Sequence, residues 1–484
     1  MLRTMSTLGR ACAPTRASTA AGIELRGAPL PRSRELLSAQ ALQLLARLHR
    51  RFEARRQQLL DARAERQREL DAGELPQRLP ASDAIRSTAW RMAPLPADLA
   101  GRRLEITGPA ERKTLDHALH ASTCTFVADL EDSCSPTWEN MIAAQANLYD
   151  AVRGRNRELE PEASRAGGSA ARAALIVQPR GWHLPEKHVR IDGAAVAAAL
   201  FDVVLYVVNN FEALARRNAA PYLRLGKLES HQEAQLWEDV LLASEDALGL
   251  PHGTIRVSVL IDTVRAAFEM EEILFALRDR AVELRHGRWA YVFSFSKSFR
   301  QRPQFVLPDR SSVTPTQPFL RSCAELVGQT ARRRGAAQSS PLAATAPVPH
   351  AANRDLLRAP DGAITESGVR LCLRVGVQYL EAWLRGTGCL PLDGAHENTA
   401  TAEVCRAQLW QWMRHGTTSS DGIRVTPERV EHLLLQELDR IHAELGRARL
   451  SSGVFPSAAR LFEHLIMQER FEEFLTLPAY ELLN

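Results

Sequence analysis

Seven cysteines are present but no Cys-x-x-Cys pair, so no paired-thiol framework is written into the chain. Several of them lie within apolar stretches, where a thiol behaves as a small hydrophobe, and a reducing compartment is expected. No run of 18 or more apolar residues occurs; the longest candidate, residues 194–208, is broken by Asp202 and reads as a helix end followed by a buried strand, so no membrane span is expected. Charge of neither sign dominates. The 61 basic and 57 acidic residues leave +4, too little to imply nucleic acid, and small-molecule partners fit better. The densest basic run, residues 47–66, is interleaved with Leu48, Phe52, Leu59 and Leu60, the pattern of an amphipathic helix with a solvated face.

What is present is enough apolar residue, 45% in a chain of 484, to bury a large core with appended parts. Residues 1–21 carry Arg3, Arg10 and Arg16 and no acid, and are expected to be a disordered leader in a cytoplasmic protein; organelle import through residues 1–20 is the alternative. The C-terminal Glu481-Leu482-Leu483-Asn484 is not a peroxisomal address. Residues 34–75 recur at helical spacing until Gly73, Pro76 and Pro80 stop the pattern, which makes 22–95 an N-terminal helical segment.

Between residues 96 and 345 the character becomes alternating β-rich and helical runs, with strands expected at 123–127, 173–177, 203–208, 254–261 and 289–295. Such alternation predicts a parallel α/β sheet or a TIM (β/α)8 barrel. Asp129, Glu131, Asp132, Asp262 and Lys297 follow these strands, and a barrel would gather them at its C-terminal mouth. The competing expectation is that the acids cap the helices that follow. If the eighth strand lies near residues 336–344, its small residues and Pro341 give it little β-propensity. Residues 346–366 read as a linker, and 367–484 as a helical domain with helices at 369–385, 402–415, 427–445 and 457–475.

Several ordered stretches resemble the malate synthases of the shorter, A-type form. They include Asp129-Leu130-Glu131-Asp132-Ser133, Pro179-Arg180-Gly181-Trp182-His183-Leu184-Pro185, Val306-Leu307-Pro308-Asp309-Arg310, Gln378-Tyr379-Leu380-Glu381-Ala382-Trp383 and Glu397-Asn398-Thr399-Ala400-Thr401-Ala402-Glu403. The resemblance implies a TIM barrel with an N-terminal helical clasp and a C-terminal helical domain. It also implies condensation of acetyl-CoA with glyoxylate to malate and CoA, using magnesium.

That chemistry needs a base for the acetyl methyl, a cation facing the enolate and a hard metal on the oxo acid. By the resemblance, the base position is Asn398, whose amide has no useful basicity, and the arginine of Arg-x-Arg-Gly is Gln178. The metal positions are Asp262, a shorter carboxylate, and Ala290, which has no donor; the family's histidine before the tryptophan is Arg280. A family segment with His-Asp-Gly-Thr-Trp has no counterpart between Pro349 and Pro360. Glu131 and Asp132 are retained. The expectation is a family member with impaired or no condensation. Two alternatives are an active enzyme with a rebuilt site, using His396 or Glu397 as base and Glu131 beside Asp262 at a metal, and a non-catalytic scaffold for an oxo acid or a protein. Different lyase or thioester chemistry at the same mouth is a further one.

Overall fold

The computed structural model describes residues 17–19, 22–102, 104–119, 124–155, 173–337, 353–446 and 454–483. Six strands form one parallel sheet in sequence order: Leu104–Gly108, Cys124–Asp129, Ala174–Gln178, Tyr222–Leu225, Arg256–Ile261 and Ala281–His286. Every residue of Cys124–Asp129 is buried, as expected for a parallel strand covered on both faces. The sheet curls into a half-barrel. Its two edges are drawn together inside by an ionic layer: Arg224 binds Glu105 at 2.6 and 2.7 Å and Glu283 at 3.1 Å, and Arg285 bridges the same two acids at 2.7 and 2.6 Å.

Two expected strands are helices. Residues 203–208 lie inside the helix Ala198–Ala215, and residues 289–295 inside Arg288–Ser298. Both runs are apolar all round because the fold covers them on every side, so periodicity could not separate a buried helix from a buried strand. Length decides the first: the apolar run continues back through Ala198 and on to Ala215. This helix is the one among the described residues long and apolar enough to cross a membrane, and 78% of it is buried within the fold. The true strands there, Tyr222–Leu225 and Ala281–His286, are short or rich in charge, and the pattern passed over them.

The expected eighth strand near residues 336–344 falls mostly outside the described residues. Of the described residues there, Ala337 makes an isolated parallel bridge with Glu283, beside the sixth described strand. The leader likewise falls outside them, except that Ala17–Thr19 is a strand, not disordered chain. It pairs with Ile23–Leu25 in a four-stranded antiparallel sheet completed by Pro185–Ile191 and Ala194–Ala197.

The N-terminal clasp is the helix Ala39–Ala72, begun by Ser38, whose side chain accepts from the Ala41 amide, and ended at Gly73 with φ of 127°. It is fixed to the barrel helix His231–Leu248 by the buried pair Arg63–Glu233, 2.6 Å, and by Arg55–Asp239. The C-terminal part packs Glu366–Leu384 against Thr399–Arg414, Pro427–Leu445 and Phe455–Met467 around a separate apolar core. Gly376 is required at one crossing, where a Cβ would fall 1.9 Å from the Phe462 ring. The last of these helices stops at Met467, short of the expected 475. The chain that follows turns Phe471 and Phe474 toward the barrel, and Phe474 stacks on His183 at 4.1 Å.

Candidate active site

The rim formed by the strand ends brings together Asp129, Asp132, Gln178 and Asp262, all buried, and the half-buried Glu131. Asp129 and Gln178 end adjacent strands in register, and Gln178 Nε2 donates to Asp129 Oδ1 at 3.3 Å. Asp129 turns back on its own loop and accepts from the amides of Glu131, Asp132 and Ser133 at 2.9, 3.1 and 3.0 Å. Its role is to shape the loop that presents the next two acids. Burial, reinforced by Asp132, pushes its carboxyl up to about 6 against these hydrogen bonds.

Glu131 faces a cleft between the barrel mouth and the C-terminal part, shared with Lys227, Phe293, Trp383, Glu403 and Phe474. Its Oε2 accepts from the Gly181 amide at 2.8 Å, and its Oε1 lies 3.6 Å from His183 Nε2. Burial pushes this carboxyl up to about 8, with Asp132 and Asp129 adding to the rise and Lys227 opposing it. His183 is kept neutral, because burial and then Arg63 and Lys227 hold its pKa well below the ordinary value.

Lys227 was not anticipated from the sequence. It stands two residues beyond the strand Tyr222–Leu225, itself too short to be noticed, and has φ of 55°. That left-handed turn aims its amide at Asp262, 2.9 and 3.1 Å from the two oxygens. Its side chain runs to Asp132, with Nζ 2.8 Å from Oδ2 and 3.8 Å from Asp262 Oδ2. Burial alone would lower the pKa of this ammonium, but Asp132, Asp262 and Glu131 more than offset that and hold it above its usual range. Burial pushes Asp262 up to about 6 against the pull of Lys227.

The remaining candidates lie elsewhere. Asn398 is the N-cap of the helix Thr399–Arg414: its side chain accepts from the Thr401 amide at 3.2 Å, and Thr401 Oγ1 accepts from the Asn398 amide at 2.9 Å, a reciprocal capping box. Glu397 is buried in a two-point pair with Arg310, 2.9 and 2.5 Å, and His396 is exposed on the hairpin Leu390–Leu392/Ala395–Glu397. Neither is among the residues that line the cleft. Lys297 sits on a helix, not at a strand exit, and pairs with Glu229 at 2.8 Å. Arg180 is held by Asp202 at 2.7 Å and Glu186 at 3.0 Å, so it does not replace the charge absent at Gln178. Arg280 precedes the strand Ala281–His286 at the opposite end of the barrel and is locked to Glu238 and Glu245.

Magnesium takes six oxygens in near-octahedral geometry at about 2.0–2.1 Å. Of the two positions the resemblance assigns to it, Ala290 is a buried methyl on a helix, and both oxygens of Asp262 already accept from Lys227. Among the described residues no group of three or more His, Cys, Asp or Glu is arranged to hold a metal. Ala290 supplies no oxygen, so the carboxylate pair that the resemblance implies is absent and the residues at those two positions do not fit the ion.

Comparison with known proteins now bears on this arrangement. Family models described as "Malate synthase, N-terminal domain", "Malate synthase, TIM barrel domain" and "Malate synthase, C-terminal" match residues 23–84, 174–357 and 363–483. The malate synthase of Myxococcus xanthus (strain DK1622) is 38% identical over 523 aligned positions, covering 96% of this chain and 97% of the relative. Malate synthase A of Escherichia coli (strain K12) is 38% identical over 511, covering 93% and 96%. That of Streptomyces clavuligerus is 38% identical over 529, covering 94% and 97%. Each aligned length exceeds the 484 residues of the chain, so the relatives carry residues that this chain lacks. With three domain models matching in order and likeness running almost end to end, the chain belongs to the malate synthase family.

Proposed function

We propose that this chain keeps the malate synthase scaffold and a cleft for a small acid at the barrel mouth, while the condensation of acetyl-CoA with glyoxylate is slowed or lost. The observation that carries this reading is Asn398. At the position of the family's base stands an amide whose oxygen accepts from the Thr401 amide, and an amide takes no proton from an acetyl methyl near neutral pH. Loss of a positioned base removes about 10² to 10⁴ in rate. Gln178 donates to Asp129 and brings no charge to a developing enolate. Purified protein with acetyl-CoA, glyoxylate and magnesium is expected to release free thiol at least about 10²-fold more slowly than an intact family enzyme. A variant carrying Gln178→Arg, Ala290→Asp and Asn398→Asp is expected to release it faster. Glyoxylate-dependent release by the unaltered chain at the rate of the intact enzyme would overturn the reading.

One observation favours a second reading, turnover with a rebuilt site. Glu131 faces the cleft with a carboxyl held at about 8, near the value at which a side chain exchanges protons efficiently around neutral pH. If it is the base, slow thiol release rises with pH through about 8 and is abolished in Glu131→Gln.

A further inference from the structure

We propose that the Lys227 ammonium stands where a divalent cation would otherwise balance the carboxylates of the barrel mouth, so that this site is closed to magnesium and similar ions. This rests on the reading of the site as one that has left the family's constellation, and it explains what holds the retained acids together.

The argument is geometric. Lys227 Nζ lies 2.8 Å from Asp132 Oδ2 and 3.8 Å from Asp262 Oδ2, bridging carboxylates that enter from two different strands. A divalent ion at metal-oxygen distance from either acid would sit beside this ammonium and be repelled by it. Backbone donors fix these carboxylates in place: both Asp262 oxygens accept from the Lys227 amide, and Glu131 Oε2 accepts from the Gly181 amide. Main chain packs closely against Asp262 on two sides: a Cβ on Gly287 would fall 2.8 Å from the Asp262 Cβ and one on Gly226 would fall 3.1 Å from its Oδ2. Ala290, on the helix that Gly287 begins, offers no oxygen in compensation.

The test is a manganese titration of the full-length protein followed by electron paramagnetic resonance of the free ion, which reads binding without any turnover. With protein and Mn²⁺ each at about 100 µM, the unaltered chain is expected to leave roughly nine-tenths of the ion free, corresponding to a Kd above about 1 mM. Lys227→Met removes the ammonium and leaves Asp132 and Asp262 unbalanced. It is expected to bind Mn²⁺ at least about tenfold more tightly, and Lys227→Met with Asp262→Asn is expected to lose that gain. Half or more of the ion bound by the unaltered chain, and released in Asp262→Asn, would overturn the proposal. So would a folded Lys227→Met protein that binds no more than the unaltered one. If Lys227→Met does not fold, the comparison of the unaltered chain with Asp262→Asn decides alone. The two readings fail separately: full-rate thiol release without metal binding defeats the proposed function and spares this proposal, and manganese binding without turnover does the reverse.

Discussion

Asn398→Ala tests directly whether Asn398, which the resemblance places at the family's base position, is a helix cap. Its side-chain oxygen accepts from the Thr401 amide at 3.2 Å, one of the backbone donors that a helix start leaves without an internal partner. Alanine leaves that buried donor unmet, a loss of about 0.5–2 kcal/mol for an Asn cap. Aspartate caps about as well as asparagine and carries a charge that suits the positive end of the helix dipole, so Asn398→Asp is expected to be neutral or slightly stabilising. The other half of the box, Thr401 Oγ1 accepting from the Asn398 amide, survives in both variants. A loss of about 1 kcal/mol in local opening free energy corresponds to roughly fivefold faster amide exchange. Hydrogen exchange followed by mass spectrometry on the peptide that opens the helix Thr399–Arg414 is therefore expected to speed up about fivefold in the alanine variant and not in the aspartate variant. Unchanged exchange in Asn398→Ala, or equal acceleration in Asn398→Asp, would refute the reasoning.

Glu131 makes stability depend on pH in a stated direction. Its carboxyl is raised from the ordinary 4.5 to about 8, so the folded state binds more protons than the unfolded state across that window, and stability falls as pH rises through it. Glu131→Gln removes this titration, and its stability relative to the unaltered chain is expected to climb by up to about 1.4 kcal/mol per pH unit in denaturant melts; a difference independent of pH would contradict the assignment. Arg224→Met is expected to cost about 3 kcal/mol, the lower end for breaking a buried pair, because Arg285 still reaches Glu105 and Glu283. A urea midpoint unmoved by this change would mean that the ionic layer does not hold the curled sheet together.

How far the candidate site was legible can be followed residue by residue. The strand-exit acids were readable because an apolar run closing on Asp129 and continuing as Leu-Glu-Asp announces a sheet end, and a parallel sheet puts all such ends on one rim. Glu397 looked free in the sequence. Its partner Arg310 lies 87 positions away, and only the fold brings the two within 2.5 Å. Lys227 follows a strand of only four residues, and nothing local says that its side chain crosses the mouth to Asp132, 95 positions earlier.

The sequence by itself therefore determined the family, the parallel α/β barrel class, the long N-terminal helix with its stop at Gly73 and most of the C-terminal helices, since these depend on ordered motifs, turn residues and short-range periodicity. Tertiary structure alone decided that residues 203–208 and 289–295 are helical, because a run apolar on all sides carries no period to read. It decided, too, that Asn398 caps, Glu397 is locked and Lys227 bridges two acids. Ion pairing over long sequence separations is a property of where the backbone has been carried, and the cost of burying a charge unpaired makes those distant partners, rather than local propensity, the determinant of each side chain's role.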